Sequence, residues 1–307
     1  MDVPDRAAPG SGEQAAGAAR RAALIAGPTA SGKSALALRM AVETDAIIVN
    51  ADALQVYDGL SILTARPTVE DESQAPHRLY GVVDPATRFS TGAWLRAAGE
   101  IVAGAGDRPL VFVGGTGLYF SALTEGFAEV PEVPPESVAH AEAEIAGLDR
   151  EARGRLIAAR DPRIAARLKA PDPQRVVRAL AVLHATGQSL ATFQDELQPA
   201  PLAGFALQRI VLNPERDVLR ARIAERFRRM WQGGAIDEVR GLLARGLDPT
   251  LPAMKAIGVP EITAMLAGEI DADEAMARAI TATHQYAKRQ RTWFRGRMAD
   301  WEWREGA

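Results

Sequence analysis

A parallel β-sheet flanked by helices, interrupted by an inserted all-helical segment, is the fold class that this 307-residue sequence predicts. Three observations predict it. Short apolar runs alternate with helix-forming stretches as far as Phe127, the pattern of strands buried on both faces of a parallel sheet. A charged stretch rich in Ala, Arg and Leu follows, set between the proline clusters Pro131/Pro134/Pro135 and Pro199/Pro201. After it, Phe205 to Leu212 ends in Ile210-Val211-Leu212 and reads as a return to the sheet.

The elements follow in order. Residues 1–20, rich in Ala, Gly, Pro and acids and without an apolar run, read as a disordered tail and not as a secretory leader. Arg21–Ala26 is a first buried strand ending at Gly27, and Lys33 to about Glu43 has helix-forming Ala, Leu and Met. Ala46–Asn50 is a second strand. Ser90 or Thr91 caps a helix running to about Ala103. Leu110–Val113 is a third strand, closed by Gly114-Gly115-Thr116-Gly117. From Glu136 to about Gly187 several short helices are expected, and from Pro214 to Met298 the chain reads as mostly helical. The expected organisation is a core of residues 21–127 and 203–307 with residues 128–202 as an inserted helical domain, in line with the soft prior of one domain per about 150 residues.

Composition excludes several classes of function. The absence of cysteine removes disulfides, thiolate zinc sites, iron–sulfur clusters and a cysteine nucleophile, and four histidines leave little for a histidine-rich metal site. Lys+Arg 36 against Asp+Glu 39 gives 36 − 39 = −3, so the chain as a whole is not a basic nucleic-acid binder, although a local basic face is what phosphates feel. No apolar run approaches the roughly 18–20 residues that span a bilayer. A cytoplasmic monomer without a membrane partner is expected.

Gly27-Pro28-Thr29-Ala30-Ser31-Gly32-Lys33-Ser34 matches G-x-x-x-x-G-K-[ST] at every specified position, after a strand and opening a helix. Glycines let such a loop curl its N–H groups towards phosphate oxygens, the lysine adds a point charge, and the Ser34 hydroxyl is placed to ligate Mg²⁺. A common ATPase also needs an acidic residue closing another core strand. Leu110–Val113 ends in Gly114-Gly115-Thr116 instead, and the carboxylate that closes a core strand is Asp52. In an open α/β sheet that position faces the ligand crevice, where a carboxylate can act as a general base on an acceptor group.

Two basic helical faces stand out. Arg222, Arg226 and Arg229 fall at i, i+4 and i+7, as do His284, Lys288, Arg291 and Arg295 further on. The run from Lys288 to Arg297 contains no acid. Such faces suit contact with a phosphate backbone, and an arginine can also hold a diphosphate bidentately. Solvated surface or structural ion pairs is the plainer alternative.

The phosphate loop together with Asn50-Ala51-Asp52-Ala53-Leu54-Gln55-Val56-Tyr57, Thr64-Ala65-Arg66-Pro67 and Pro76-His77-Arg78-Leu79 resembles the tRNA dimethylallyltransferase family. Gly114 to Tyr119, Asp172-Pro173-Gln174-Arg175 through Leu180, Arg222-Ile223 with Arg226-Phe227, Ala256-Ile257-Gly258, and Ala287-Lys288-Arg289-Gln290 with Thr292-Trp293 continue the match in order, from about residue 22 to 297. Gly258-Val259-Pro260 and the segment Phe89 to Trp94 depart from the family's commoner pattern.

The resemblance implies transfer of the dimethylallyl group of dimethylallyl diphosphate to N6 of adenosine 37 of tRNA, releasing diphosphate. It implies that Gly27 to Ser34 hold an isoprenoid diphosphate with Mg²⁺ at Ser34. It makes Asp52 the base, with Lys33, the loop amides, Thr29 and Arg226 stabilising the leaving group. The three arginines of that face are not told apart by their spacing. The resemblance also places Asp52, Ala53, Leu54, Gln55, Thr116, Gln174, Arg175, Val176, Val177, Arg178, Lys255, Ala256, Ile257 and Gly258 on the tRNA side, with the inserted domain gripping the anticodon stem-loop. Lys288, Arg291 and Arg295 are assigned to tRNA from their basic face. Residues lining an isoprenoid pocket are not singled out by the sequence. A small-molecule kinase using ATP accounts for the loop and Asp52 but not for the basic faces or the helical insertion, and a nucleotide-dependent RNA-binding switch without catalysis accounts for the basic faces but makes Asp52 incidental.

Overall fold

The structure, a computed structural model, describes residues 19–168 and 170–306, so most of the expected tail lies outside the described residues. In chain order the first half runs β1 (Arg21–Ala26), α1 (Lys33–Thr44), β2 (Ile47–Asn50), α2 (Val69–Gln74), β3 (His77–Arg78), α3 (Thr91–Gly104), β4 (Leu110–Gly114), α4 (Gly117–Glu125) and β5 (Phe127–Ala128). The helical stretch comprises α5 (Pro135–Ile145), α6 (Arg150–Arg160), α7 (Pro162–Ala165), α8 (Pro173–Thr186) and α9 (Leu190–Asp195). The chain then continues through β6 (Leu197–Gln198), β7 (Ala206–Leu212), α10 (Arg216–Gln232), α11 (Ala235–Leu243), a 3₁₀ turn at Ala253–Lys255, α12 (Val259–Leu266), α13 (Ala272–Arg297) and β8 (Glu302–Arg304).

The main sheet has the order β3-β2-β4-β1-β7-β8, and every neighbouring pair is parallel. Alternating side chains point to opposite faces of a strand, and the core divides accordingly. Leu24, Val49, Phe112 and Val211 face one cluster that holds Trp94, Phe120, Phe227 and Phe294. Ile25, Ile48, Val113 and Ile210 face the other, where α1 contributes Leu36, Ala37 and Ala41. Because both faces are covered, Ala22–Ala26, Ile47–Val49, Leu110–Val113 and Ile210–Leu212 are continuous apolar runs, which is what made these strands visible.

Two edge strands were not foreseen. β3 has two polar residues, and β8 carries Trp303 between Glu302 and Arg304. Edge strands are commonly short and charged, a composition that discourages further pairing, so neither shows an apolar run. β2 begins at Ile47, one residue later than expected.

The helical stretch leaves and rejoins the sheet region at one place. β5 and β6 pair antiparallel, Phe127 with Gln198 and Ala128 with Leu197. Gly126 turns there with φ +88°, and a Cβ on it would sit 2.2 Å from the Gln198 carbonyl oxygen. Between these strands α5, α6, α7, α8 and α9 enclose their own apolar cluster, with Ala141, Ile157, Ile164, Val176, Leu180 and Ala191 buried. Among the described residues no helix is long and apolar enough to cross a membrane.

Trp94 anchors the region where the phosphate loop and the end of β2 meet. It is fully buried, its ring stacks on Tyr119 of α4 at 3.9 Å and 11°, and its Nε1–H donates to the Asn50 carbonyl at 2.9 Å. Ser90 caps the helix that carries it by accepting from the Ala93 N–H. Replacing Trp94 by Phe keeps an aromatic ring but leaves the buried Asn50 carbonyl without its donor. A destabilisation of about 1–3 kcal/mol is expected, read as a lower urea midpoint at unchanged slope; an unaltered midpoint would show that this hydrogen bond does not hold the end of β2.

Candidate active site

The phosphate loop follows β1 and adopts left-handed backbone at Ala30 (φ 62°) and Gly32 (φ 91°). Gly27 is required by close packing: a Cβ there would lie 2.6 Å from Ser31 Oγ and 3.0 Å from the Leu212 carbonyl oxygen. No side chain caps the start of α1 by a hydrogen bond, so the first amides of that helix are available to an anion. Ser31 is fully buried and its hydroxyl has no hydrogen-bond partner. The Lys33 Nζ donates to the Pro28 carbonyl at 3.3 Å. Burial pushes this ammonium down to about 8, Asp52 opposes the shift, and the positive charge of Arg226 adds to it. Ser34 is exposed on the first turn of α1.

Asp52 is held by the polar turn that ends β2. Asn50 Oδ1 accepts the Asp52 N–H at 2.8 Å, while Asn50 Nδ2 donates to the Asp52 carbonyl (3.0 Å) and the Leu79 carbonyl (2.9 Å). One carboxylate oxygen, Oδ1, accepts the Leu54 N–H at 3.0 Å. The other faces Gly115, where a Cβ would stand 3.2 Å away. Gly114 must also be glycine, since its Cβ would meet the Ala51 carbonyl oxygen at 2.0 Å. Thr116 completes the turn, its hydroxyl accepting the Ala53 N–H at 2.9 Å and its own N–H donating to the Ala51 carbonyl.

These loops open on a cleft. Thr29, Ala30, Asp52, Thr64, Arg226, Thr283 and Tyr286 line part of it, and Leu54, Leu63, Ile223, Phe227, Met230, Ala256 and Ile257 line the rest. Arg226 is half-buried and reaches the Thr64 carbonyl at 3.4 Å. Burial lowers its pKa, and the charge of Asp52 works against that. Arg222 and Arg229 are exposed, and Arg229 lies 3.9 Å from Glu225, so of the three arginines Arg226 is the one in the cleft. Burial raises the Tyr286 hydroxyl pKa, and the negative charge of Asp52 raises it further. That phenol is a neutral donor at any ordinary pH.

Several lining residues carried no signal as single letters. Ile223, Phe227 and Met230 share the i, i+4, i+7 spacing of the arginine face on α10, and that periodicity is the cue that would have found them. Gln290, 5 % exposed on α13, accepts the Thr29 N–H through Oε1 and donates to the Gly115 carbonyl through Nε2, both at 3.0 Å. It joins the phosphate loop to the turn after β4.

The residues expected on the tRNA side separate. Leu54, Ala256 and Ile257 line the cleft with Asp52. Gln55 instead donates to the Thr64 and Ala65 carbonyls at 2.9 and 3.0 Å, fastening its own loop, and Ala53 and Thr116 hold each other. Gly258 is buried with φ 102° against Leu63, and Lys255 is exposed. On α8, Gln174, Arg175 and Arg178 are exposed away from the cleft lining. Val176 is fully buried in the helical cluster and Val177 packs against it, so the Val176 side chain belongs to the core rather than to a tRNA-facing surface. Lys288 and Arg295 are exposed and Arg291 is half-buried.

Known proteins resemble this chain in sequence and fold. The family model described as IPP transferase matches residues 55–297, and one described as Isopentenyl transferase matches residues 20–87. A protein from Chelativorans sp. (strain BNC1) named tRNA dimethylallyltransferase is 51 % identical over 284 residues, covering 92 % of this chain and 97 % of its own. Another of that name, from Methylobacterium sp. (strain 4-46), is 53 % identical over 94 % of this chain and 95 % of its own. The crystal structure of a full-length tRNA isopentenylpyrophosphate transferase from Bacillus halodurans superposes with a TM-score of 0.65 at 31 % identity, covering 93 % of this chain and 89 % of that one. A eukaryotic dimethylallyltransferase acting on tRNA shares the fold, with a TM-score of 0.74 at 22 % identity over 90 % of this chain and 70 % of that one. The phosphate loop and Asp52 fall within the 20–87 match and the helical excursion within the 55–297 match, which spans most of the chain, and the chain belongs to the IPP transferase family.

Proposed function

We propose that the protein transfers the dimethylallyl group from dimethylallyl diphosphate to N6 of adenosine 37 in tRNA, releasing diphosphate. The observation that carries this reading is the cleft itself, in which the phosphate loop, Asp52 and Arg226 meet an extended apolar wall. A kinase cleft has to seat the polar sugar of ATP. An apolar wall beside a phosphate loop suits an isoprenoid diphosphate instead.

The adenine N6 lone pair is delocalised into the ring, so the amine is a poor nucleophile. As N6 forms its bond to C1 of the dimethylallyl group, the C1–O bond to diphosphate breaks and one N6 proton passes to the Asp52 carboxylate. The Leu54 N–H donates to that carboxylate and Asn50 Oδ1 accepts the Asp52 N–H, which keeps the group in place. Negative charge develops on the departing bridging oxygen. The amides at the start of α1, Lys33, Thr29 and Arg226 are preorganised around the place where it appears. The Ser34 hydroxyl at the first turn of α1 fits Mg²⁺, which keeps most of its shell as water and substrate phosphate oxygens and takes few protein ligands. When bound, such an ion neutralises diphosphate charge.

The target base has to leave its stacked loop to reach the cleft, at a cost of a few kcal/mol. The exposed Arg175 and Arg178 of α8, with Lys288 and Arg295 of α13, supply the phosphate contacts that offset it. In this reading the helical stretch between β5 and β6 grips the anticodon stem-loop, and the enzyme works in the cytoplasm as a monomer.

Three measurements test these assignments. Asp52→Asn should retain tRNA affinity and lose single-turnover transfer by about 10²–10⁴-fold; undiminished transfer would remove Asp52 as the base. Diphosphate binding should weaken above about pH 8, where Lys33 loses its proton in the free protein. Calorimetry in buffers of different ionisation enthalpy should then show proton uptake on binding, because the anion restores the charged form, and Lys33→Met should abolish that uptake. Arg178→Ala should weaken tRNA binding and lower the salt slope by about one unit, whereas an identical slope would place the arginine outside the contact.

A further inference from the structure

Outside the cleft, one group of side chains among the described residues is arranged like a metal site: His140, Glu144 and His184. The chain has four histidines, and two of them meet here. His140 and Glu144 stand one turn apart on α5, on one face, and α8 packs along α5 and brings His184 to the same point. The Nε2 atoms of His140 and His184 lie 3.5 Å and 3.1 Å from Glu144 Oε1. Yet His184 Nε2 and Glu144 Oε2 are buried without a hydrogen-bond partner. A short nitrogen–oxygen approach without a hydrogen bond, beside an unpartnered carboxylate oxygen, is an unfinished polar site.

We propose that His140, Glu144 and His184 bind Zn²⁺ and that the ion fastens α5 to α8. Zinc takes imidazole nitrogen and carboxylate oxygen at 2.0–2.2 Å in a tetrahedron, which sets its ligand atoms roughly 3.4 Å apart. The observed separations of 3.5 and 3.1 Å match that edge. Two imidazoles with one carboxylate favour zinc over magnesium, which prefers oxygen alone, so this site and the Ser34 position select different ions. Three protein ligands leave the fourth position to water. The two rings are stacked with centroids 4.4 Å apart and planes 7° apart, so on binding each turns about its Cβ–Cγ bond to aim its nitrogen at the ion. His140, with its side chain 63 % exposed, has room to do so. Arg160 Nη2 now shares Glu144 Oε1 at 3.1 Å, and its half-exposed guanidinium withdraws to solvent when the cation takes that oxygen. The site lies on the C-terminal half of the helix whose first turns carry Gln174, Arg175 and Arg178, so the ion would hold that surface against α5.

The test uses the untagged full-length protein, stripped with a chelator and incubated with ZnCl₂ or MgCl₂. Elemental mass spectrometry after gel filtration should find one zinc per chain, and zinc but not magnesium should raise the midpoint of thermal unfolding. His140→Ala should reduce the retained zinc to near zero and abolish the zinc-dependent rise while leaving the metal-free midpoint unchanged, because that side chain is exposed. Glu144→Gln should weaken retention as well, and His284→Ala should not. Wild-type protein that retains no zinc, or a His140→Ala variant that retains it as before, overturns the proposal.

Discussion

A single buried carboxamide holds the cleft open. Gln290 reaches from the last long helix to the Thr29 N–H and the Gly115 carbonyl, two backbone groups that neither β1 nor β4 satisfies. Each of them left alone in the interior would cost about 1–3 kcal/mol. The approach is so close that neighbouring residues have no freedom of size: a Cβ on Gly115 would lie 2.1 Å from Gln290 Nε2, and one on Gly117 would lie 2.1 Å from the Trp293 ring one turn further along α13. Tyr286, one turn before Gln290, faces the cleft. Successive turns of α13 thus supply a lining group, a bridge between loops and a packing wedge.

That rigidity matters because the electrostatics of the empty cleft are unfavourable. Burial disfavours the charged forms of both Lys33 and Arg226, the charge of Arg226 adds to this at Lys33 and that of Arg229 at Arg226, and Asp52 compensates only in part. Lys33 has its folded pKa below its unfolded one, so the penalty for its charged form is fully present below about 8. It is relieved as pH rises from there towards the ordinary lysine value, and folding stability gains accordingly. In the proposed reading, the uncompensated positive charge is what a diphosphate neutralises. Stability is given up in the free protein for affinity towards an anion, the usual direction of conflict at functional sites.

How much of this was legible in the sequence depended on whether a feature is local. The buried parallel strands were legible because burial on both faces leaves an unbroken apolar run, and the phosphate loop because its geometry is encoded in consecutive residues. Asp52 stood out by elimination, since β4 ends in glycines. The edge strands β3 and β8 were not legible, because a short polar edge has no periodicity to detect. Nor was Gln290, whose importance comes from two partners 261 and 175 residues away in sequence. Val176 shows the reverse failure: it stands in a motif between exposed arginines, and only the packing of α8 reveals that its side chain points into the helical core.

The arginine face of α10 shows why one helix can serve both ends of a prenyl diphosphate. Its spacing did not distinguish Arg222, Arg226 and Arg229, but Arg226 lines the cleft together with Ile223, Phe227 and Met230, which the other two do not. Side chains three and four residues apart on a helix are neighbours, so in the proposed reading the guanidinium for the leaving group and the apolar surface for the alkyl chain are spaced by helix geometry rather than by loop conformation. One helical turn rises about 5.4 Å, a scale suited to a short isoprenoid. Leu54 and Ile257 close the wall from loops, but Phe227 is also part of the main core. A change at Phe227 therefore repacks the main core, whereas Leu54, Ile257 and the partly buried Met230 can change size at less cost to the fold.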